Sequence, residues 1–234
     1  MSIVFVISAP SGSGKTTLVN ELRKVVPNLE FSVSYTTRPP RGSEQNGRDY
    51  YFISREEFER MLAKDEFLEH ADVFGHYYGT AKRFLREARA RGDDLLLDID
   101  VQGAKQIKEK LPEAVSIFIL PPSKDVLEWR LRNRSQNEHV NSEEVIRRRL
   151  LTAAKEIEKY PAYDYILVND RLEQSIDELK AIVLAERIKR SGSPVSPEQQ
   201  KLLDSASRCL QANSAARLQP ILASFALSAT PSGR

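Results

Sequence analysis

The stretch Val4-Phe5-Val6-Ile7-Ser8-Ala9-Pro10-Ser11-Gly12-Ser13-Gly14-Lys15-Thr16-Thr17 constrains this chain more than any other. An apolar run passes through a turn of small residues into a lysine, two threonines and the amphipathic segment Leu18 to Val26, which reads as strand, loop and helix. Gly12 and Gly14 admit backbone angles that a side chain forbids, so the N–H groups of this loop turn inward around a phosphate chain. The following helix adds its positive end. Lys15 is placed to reach the outer phosphates and the Thr16 hydroxyl to sit beside a magnesium ion. Ala9 stands where such loops usually begin with glycine, a mild departure. An ordinary strand-to-helix turn with a capping threonine is the plainer alternative. The Gly-Lys-Thr triplet in this context argues against it.

A chain of 234 residues is long enough for one sizeable α/β domain with small inserted subdomains. Charged residues make up 29% of it, yet the formal net charge is +2, which argues against a non-specific nucleic-acid binder. No apolar run approaches a membrane span and no charged leader precedes the first strand, so a soluble cytoplasmic protein is expected. One cysteine, Cys209, and three scattered histidines exclude a disulfide framework and disfavour structural zinc. Magnesium, held by oxygen ligands, needs neither.

Apolar runs recur at 3–7, 95–99, 115–120 and 165–168, separated by helical patterns at 17–26, 81–91, 102–111, 123–134 and 143–159. That alternation predicts an α/β fold with a parallel sheet flanked by helices. The rhythm breaks between residues 31 and 80, where aromatics alternate with polar residues and glycines intervene. There the pattern predicts a small antiparallel sheet and one helix capped by Ser54, with Glu57 at capping-box spacing. A polar stretch from Arg134 to Asn141 reads as a mobile lid. The expected organisation is a domain over 1–190, with core segments 1–33 and 81–190, an insertion at 34–80 and a lid at about 134–142. In the extension 191–234, Ser196, Pro197 and Gln199 suit a helix start, with weak order expected beyond about Leu210.

Three clusters carry chemistry. Leu95-Leu96-Leu97-Asp98-Ile99-Asp100 is an apolar strand ending in carboxylates, where ligands of open α/β sheets gather. One of these acids suits magnesium and the other a substrate. Asp100-Val101-Gln102-Gly103 also matches the Asp-x-x-Gly of small GTPases, but the guanine motif of those proteins is absent. Second, Arg38 and Arg41, in a turn stiffened by Pro39 and Pro40, form a fork suited to phosphate, with tyrosine hydroxyls nearby. Third, Arg130 and Arg134 lie one helical turn apart, with Arg147, Arg148 and Arg149 downstream.

Together these residues resemble the guanylate kinase family. The resemblance covers residues 3 to about 188 and rests on Ala-Pro-Ser-Gly-x-Gly-Lys-Thr, Thr-Thr-Arg-x-x-Arg-Gly, Gly-x-Asp-Tyr-x-Phe, Phe-Leu-Glu, Tyr-Tyr-Gly-Thr and Asp-Ile-Asp-x-Gln-Gly. It implies a P-loop kinase with a mixed α/β GMP-binding insertion, using ATP and magnesium to phosphorylate GMP, and dGMP, in purine nucleotide metabolism. Residues 9–17 (Ala9, Pro10, Ser11, Gly12, Ser13, Gly14, Lys15, Thr16, Thr17) would bind ATP, with Asn169 at the adenine, and Thr16 and Asp98 would hold the metal. Arg38, Arg41, Tyr50 and Tyr78 would grip the GMP phosphate. Glu69 would accept from the N1 and N2 edge of guanine and Thr80 would donate to O6, with Ser34 and Asp100 completing the pocket. A carboxylate beside a hydroxyl suits that edge and leaves adenine unpaired. Lys15, Arg38, Arg130, Arg134 and Arg149 would stabilise charge during in-line transfer, while Arg132, Arg147 and Arg148 have no counterpart and read as solvated charge.

The family usually has a glycine in the lid turn, and this chain has none there. The resemblance also implies a homo-oligomer. Two rivals share the architecture: a non-catalytic interaction module, disfavoured by the presence of Lys15, Thr16, Arg38 and Arg149, and a kinase for another small acceptor.

Overall fold

The computed structural model describes residues 2–73, 75–137 and 143–225, and of residues 134–137 the backbone alone. Two compact units divide the chain, Met1–Ile7 with Val26–Ser116 and Ser8–Val25 with Ile117–Arg234.

In the first unit, β1 (Val4–Ser8, its last residue in the other unit), β2 (Leu29–Phe31) and β7 (Asp94–Asp98) form a parallel ladder in which β7 lies between the other two. All of β1 and residues 94–97 of β7 are buried, so both read as continuous apolar runs rather than alternating ones. The buried Asp94 carboxylate accepts from the Ile3 N–H at 2.7 Å and fixes where β7 starts. A second sheet runs in the order β4 (Tyr51–Phe52), β3 (Tyr35–Thr36), β6 (His76–Ala81), β5 (Phe67–Val73). It is mixed, not antiparallel as expected. β3 pairs parallel with β4 through registers Tyr35–Tyr51 and Thr36–Phe52, because a loop rather than a hairpin joins them.

Helix α2 (Arg55–Ala63) starts at Ser54, whose hydroxyl accepts from the Glu57 N–H at 3.1 Å. Helix α3 (Lys82–Arg91) packs on β7 and ends at Gly92 in the left-handed conformation. Helix α4 (Val101–Lys110) packs on β5.

In the second unit, β8 (Val115–Leu120, its first two residues in the other unit) pairs parallel with β9 (Tyr165–Val168) from Ile117 on. Helices α1 (Lys15–Val25), α5 (Lys124–Asn137), α6 (Glu143–Ile157), α7 (Leu172–Ser191), α8 (Pro197–Cys209) and α9 (Ala215–Ser224) complete it. α5 runs three residues past the expected end at 134, since no glycine or proline stops it. The expected lid therefore begins as helix, and its residues 138–142, with the side chain of Arg134, lie outside the described residues. Arg132 is partly exposed, and it bonds Glu128 one turn back at 2.7 Å and Glu143 at the start of α6. The expectation of weak order beyond Leu210 fails through Phe225, because Leu218, Ile221 and Phe225 are buried on one face of and just past α9.

Candidate functional site

The first unit carries a buried acid with its surroundings built to hold it. Glu69 lies on β5 opposite Thr80 of β6, next to a register shift between Phe67 and Glu69. Such a bulge re-aims side chains, and here Phe67, Leu68 and Glu69 are all buried in succession. The Thr80 hydroxyl donates to Glu69 Oε1 at 2.6 Å. Burial, and then the nearby Asp100 charge, push the Glu69 carboxyl up to about 7 although Thr80 pulls the other way.

Three residues on one face of α4 define where that acid sits. A Cβ on Gly103 would lie 2.4 Å from Glu69 Oε2, so the carboxylate occupies the space a side chain would take. Gln106 receives the His70 N–H at 3.2 Å and donates to the His70 carbonyl at 2.6 Å. Lys110 donates to the Leu68 carbonyl at 2.6 Å. The strand is thus gripped on both sides of residue 69. Sequence reasoning missed all three, although positions 103, 106 and 110 have the spacing of one helical face.

Arg38 is 5% exposed and its fork is engaged: Nη1 and Nη2 donate to the two oxygens of Glu44 at 2.9 and 3.0 Å, and Nε donates to the Tyr78 hydroxyl at 3.1 Å. The Arg38 guanidinium also lies 5.3 Å from the Tyr50 ring centroid. Against its burial, the bonds from Arg38 and the Arg41 N–H hold the Glu44 carboxyl below its usual value. Burial, then Asp98, raise the Tyr50 hydroxyl to about 12, so it remains a donor at neutral pH. The Arg41 side chain is exposed, and its N–H donates to Glu44 at 2.8 Å. Glu44 had no signal in the sequence; its two carboxylate oxygens fill the fork of Arg38. Ser34 is buried just before β3, its carbonyl accepting from the Tyr51 N–H. Asp100 caps α4 through the Gly103 N–H at 2.9 Å, and Asp98 ends β7. Arg38, Tyr50, Tyr78 and Glu44 form one cluster, and Glu69, Thr80 and Gly103 another on the same sheet and its packed helix.

The second unit holds the glycine loop. Gly12 and Gly14 have φ of +90° and +86°, the left-handed region that the sequence pattern requires. Pro10 closes the turn by accepting from the Ser13 N–H, and Lys15, Thr16 and Thr17 form the first turn of α1, the two threonines exposed. Asn169, buried at the end of β9, donates from Nδ2 to the Ser13 carbonyl at 2.8 Å, and a Cβ on Gly14 would meet that nitrogen at 2.3 Å. Arg130 donates to the Ser13 and Asn169 carbonyls at 3.4 and 3.0 Å, with burial lowering its pKa. In this structure Asn169 and Arg130 brace the loop's backbone. Arg149 is half-buried on α6. Ser13 Oγ is buried without a hydrogen-bond partner.

The loop suits an anion with its metal. Left-handed glycines, an exposed Thr16 hydroxyl and a helix start match a phosphate chain whose own oxygens complete a magnesium shell. Among the described residues no group of three His, Cys, Asp or Glu is positioned to cage a metal alone. None of their helices is long and apolar enough to cross a membrane.

Comparison with known proteins agrees with this geometry. The family model described as guanylate kinase matches residues 1–186. A guanylate kinase of Koribacter versatilis is 63% identical over 95% of this chain and 95% of its own, so that the match extends past residue 186. The guanylate kinase of Escherichia coli (strain K12) is 48% identical over 80% of this chain and 90% of its own. The crystal structure of guanylate kinase from Anaplasma phagocytophilum superposes with a TM-score of 0.63 at 40% identity, covering 79% of this chain and 86% of that one. With its α/β architecture and glycine loop, the chain belongs to the guanylate kinase family and is a phosphotransferase enzyme.

Proposed function

We propose that this enzyme transfers the γ-phosphoryl group of ATP to the phosphate of GMP, and of dGMP, giving ADP and the nucleoside diphosphate. The observation that carries the reading is Glu69, a buried acid whose Oε1 accepts from the Thr80 hydroxyl at 2.6 Å, so that a carboxylate and a hydroxyl stand side by side. Guanine offers two N–H donors and one acceptor along one edge, and this pair answers them. Adenine would leave the carboxylate unpaired, a loss that supports strong discrimination. Arg38, Arg41, Tyr50 and Tyr78 would receive the acceptor's phosphate in place of Glu44, with Ser34 and Asp100 beside the base.

The acceptor oxygen of GMP is ionised at neutral pH, so no catalytic base is required. Residues 9–17 would hold the phosphates of ATP, and Asn169 would line its site. Lys15 would neutralise charge on the transferring group, joined by Arg38, Arg130, Arg134 and Arg149, so that catalysis comes from positioning and electrostatics during in-line transfer. Thr16 and Asp98 would hold magnesium together with the ATP phosphates, and the ion would supply further charge neutralisation. Such an activity belongs to purine nucleotide metabolism in the cytoplasm, in a chain that self-associates.

A coupled assay across GMP, dGMP, AMP, UMP and CMP with ATP and magnesium tests the proposal. Turnover of the guanine nucleotides should exceed that of the others by roughly 10³-fold or more. Failure to phosphorylate GMP would refute it.

A further inference from the structure

The segment beyond the family match is fastened to the two elements that grip the glycine loop. After α8, Leu210 bridges Tyr165 at the start of β9, the Gln211 N–H donates to the Asp164 carbonyl at 2.9 Å, and Arg217 of α9 donates from Nη2 to the Ile166 carbonyl at 2.8 Å. The far end of α9 reaches α5. Ser224 Oγ accepts from the Lys124 N–H at 3.0 Å across 100 residues of sequence, while donating to the Ile221 carbonyl at 2.6 Å. Lys124 is the first residue of α5, and its N–H is one of the donors a helix start leaves without an internal partner.

β9 and α5 are the elements that converge on Ser13. Asn169 follows β9 and bonds the Ser13 carbonyl, and Arg130 of α5 bonds that carbonyl and the Asn169 carbonyl. Leu127 and Leu131 of α5 pack so close to Gly12 that a Cβ there would sit 3.0 Å from each. Any sliding of α5 along β9 would therefore move the loop itself.

We infer that α9 is a positioning element for the glycine loop: by joining the start of α5 to β9 through Ser224 and Arg217, it holds Arg130 and Asn169 together at Ser13. This rests on the reading of that loop as the ATP site. A brace of this kind acts on the nucleotide donor and leaves the acceptor alone.

The test uses the full chain with Ser224→Ala, Arg217→Gln and the double variant, and Ser224→Thr as the conservative replacement that keeps an acceptor. ATP and GMP KM values, ADP binding by calorimetry and the thermal midpoint are measured for each. The double variant should raise the KM for ATP and the Kd for ADP about threefold to tenfold, leaving the KM for GMP within about twofold. Ser224→Thr should behave as wild type. Should the double variant not fold, Ser224→Ala, which removes the two bonds of one hydroxyl at an exposed helix end, carries the same comparison. ADP binding equal to wild type overturns the inference, as does a rise in both KM values that tracks lost thermal stability. A wild-type chain that binds no ADP instead overturns the reading of the loop, and the inference with it.

Discussion

Arg38 and Glu44 are locked fork to fork, with nitrogen to oxygen distances of 2.9 and 3.0 Å, on a guanidinium that is almost fully buried. The carboxylate presents two oxygens as a phosphate does, so an incoming phosphate must displace it. Glu44→Gln removes the competing charge and keeps the shape. The Kd for GMP should fall about fivefold, on the order of 1 kcal/mol, as read by calorimetry. A weaker affinity in this variant would mean that Glu44 aims Arg38 more than it competes with the ligand.

If Glu69 reads guanine as proposed, its titration couples that recognition to pH. Burial is the main cause that pushes the Glu69 carboxyl up to about 7 from the ordinary 4.5. Guanine's two N–H groups need the ionised form, so the KM for GMP should be flat above about pH 8 and rise as pH falls through 7. The stability consequence has the opposite sense. A carboxyl whose folded pKa is raised favours folding fully below its unfolded pKa, and that contribution is lost as pH climbs through the folded value. Glu69→Gln should therefore gain stability over wild type at pH 8 and little at pH 4, by about 2–3 kcal/mol in the difference. It should also lose its preference for GMP over AMP. Thermal melts at the two pH values and the selectivity ratio decide both points.

Gly103→Ala places a methyl group 2.4 Å from Glu69 Oε2, on a helix backbone that Gln106 and Lys110 tie to β5. The carboxylate must move, since neither neighbouring strand residue is free to shift. A displacement of about 1 Å at a recognition group costs on the order of 10²-fold. The KM for GMP should rise accordingly while that for ATP holds, in steady-state kinetics with each substrate varied. Equal changes in the two would point to general damage to the fold.

How much of this was readable beforehand follows from where each signal lies. The glycine loop is local: Gly12, Gly14 and Lys15 announce its geometry within a few residues, and both glycines have the left-handed angles their pattern demands. The parallel strands at 115–120 and 165–168 show as unbroken apolar runs because both faces are buried. α7 escaped notice for the same reason. Ser175, Leu179, Ala181, Ile182, Val183 and Ala185 are buried around much of its circumference, against α1, α8 and β9, so no single apolar stripe marks it. α9 was hidden by Pro220 and an Ala- and Ser-rich composition, though Leu218, Ile221 and Phe225 keep helical spacing. Glu44 lies outside sequence reasoning altogether, since its partner is fixed by a turn and not by any period.

Lys15 opens α1 directly after Gly14, at the positive end of the helix. Lys15→Ala should abolish turnover, because no other side chain of the loop carries a positive charge for the transferring group. GMP binding, proposed for the second sheet, should survive with its Kd unchanged. Measurable turnover in the variant, or loss of GMP binding by calorimetry, would contradict the assigned role.

Asn169 offers the cleanest probe of the loop's support, because an isosteric replacement reverses one interaction and adds no bulk. Its Nδ2 donates to the Ser13 carbonyl at 2.8 Å in a buried setting, against the space that Gly14 leaves open. Asn169→Asp sets an acceptor against an acceptor there, so the carbonyl loses a donor and faces a negative charge. Leaving such a group unsatisfied costs about 1–3 kcal/mol, and charge repulsion adds to it. The nearby Arg130 guanidinium offsets part of the new charge, which places the expected loss of ATP affinity at about 10-fold to 100-fold. Because Arg130 would then be drawn to the carboxylate, the double variant Asn169→Asp with Arg130→Met should fall further than the sum of the single changes. Additive losses would show that the two side chains support Ser13 independently.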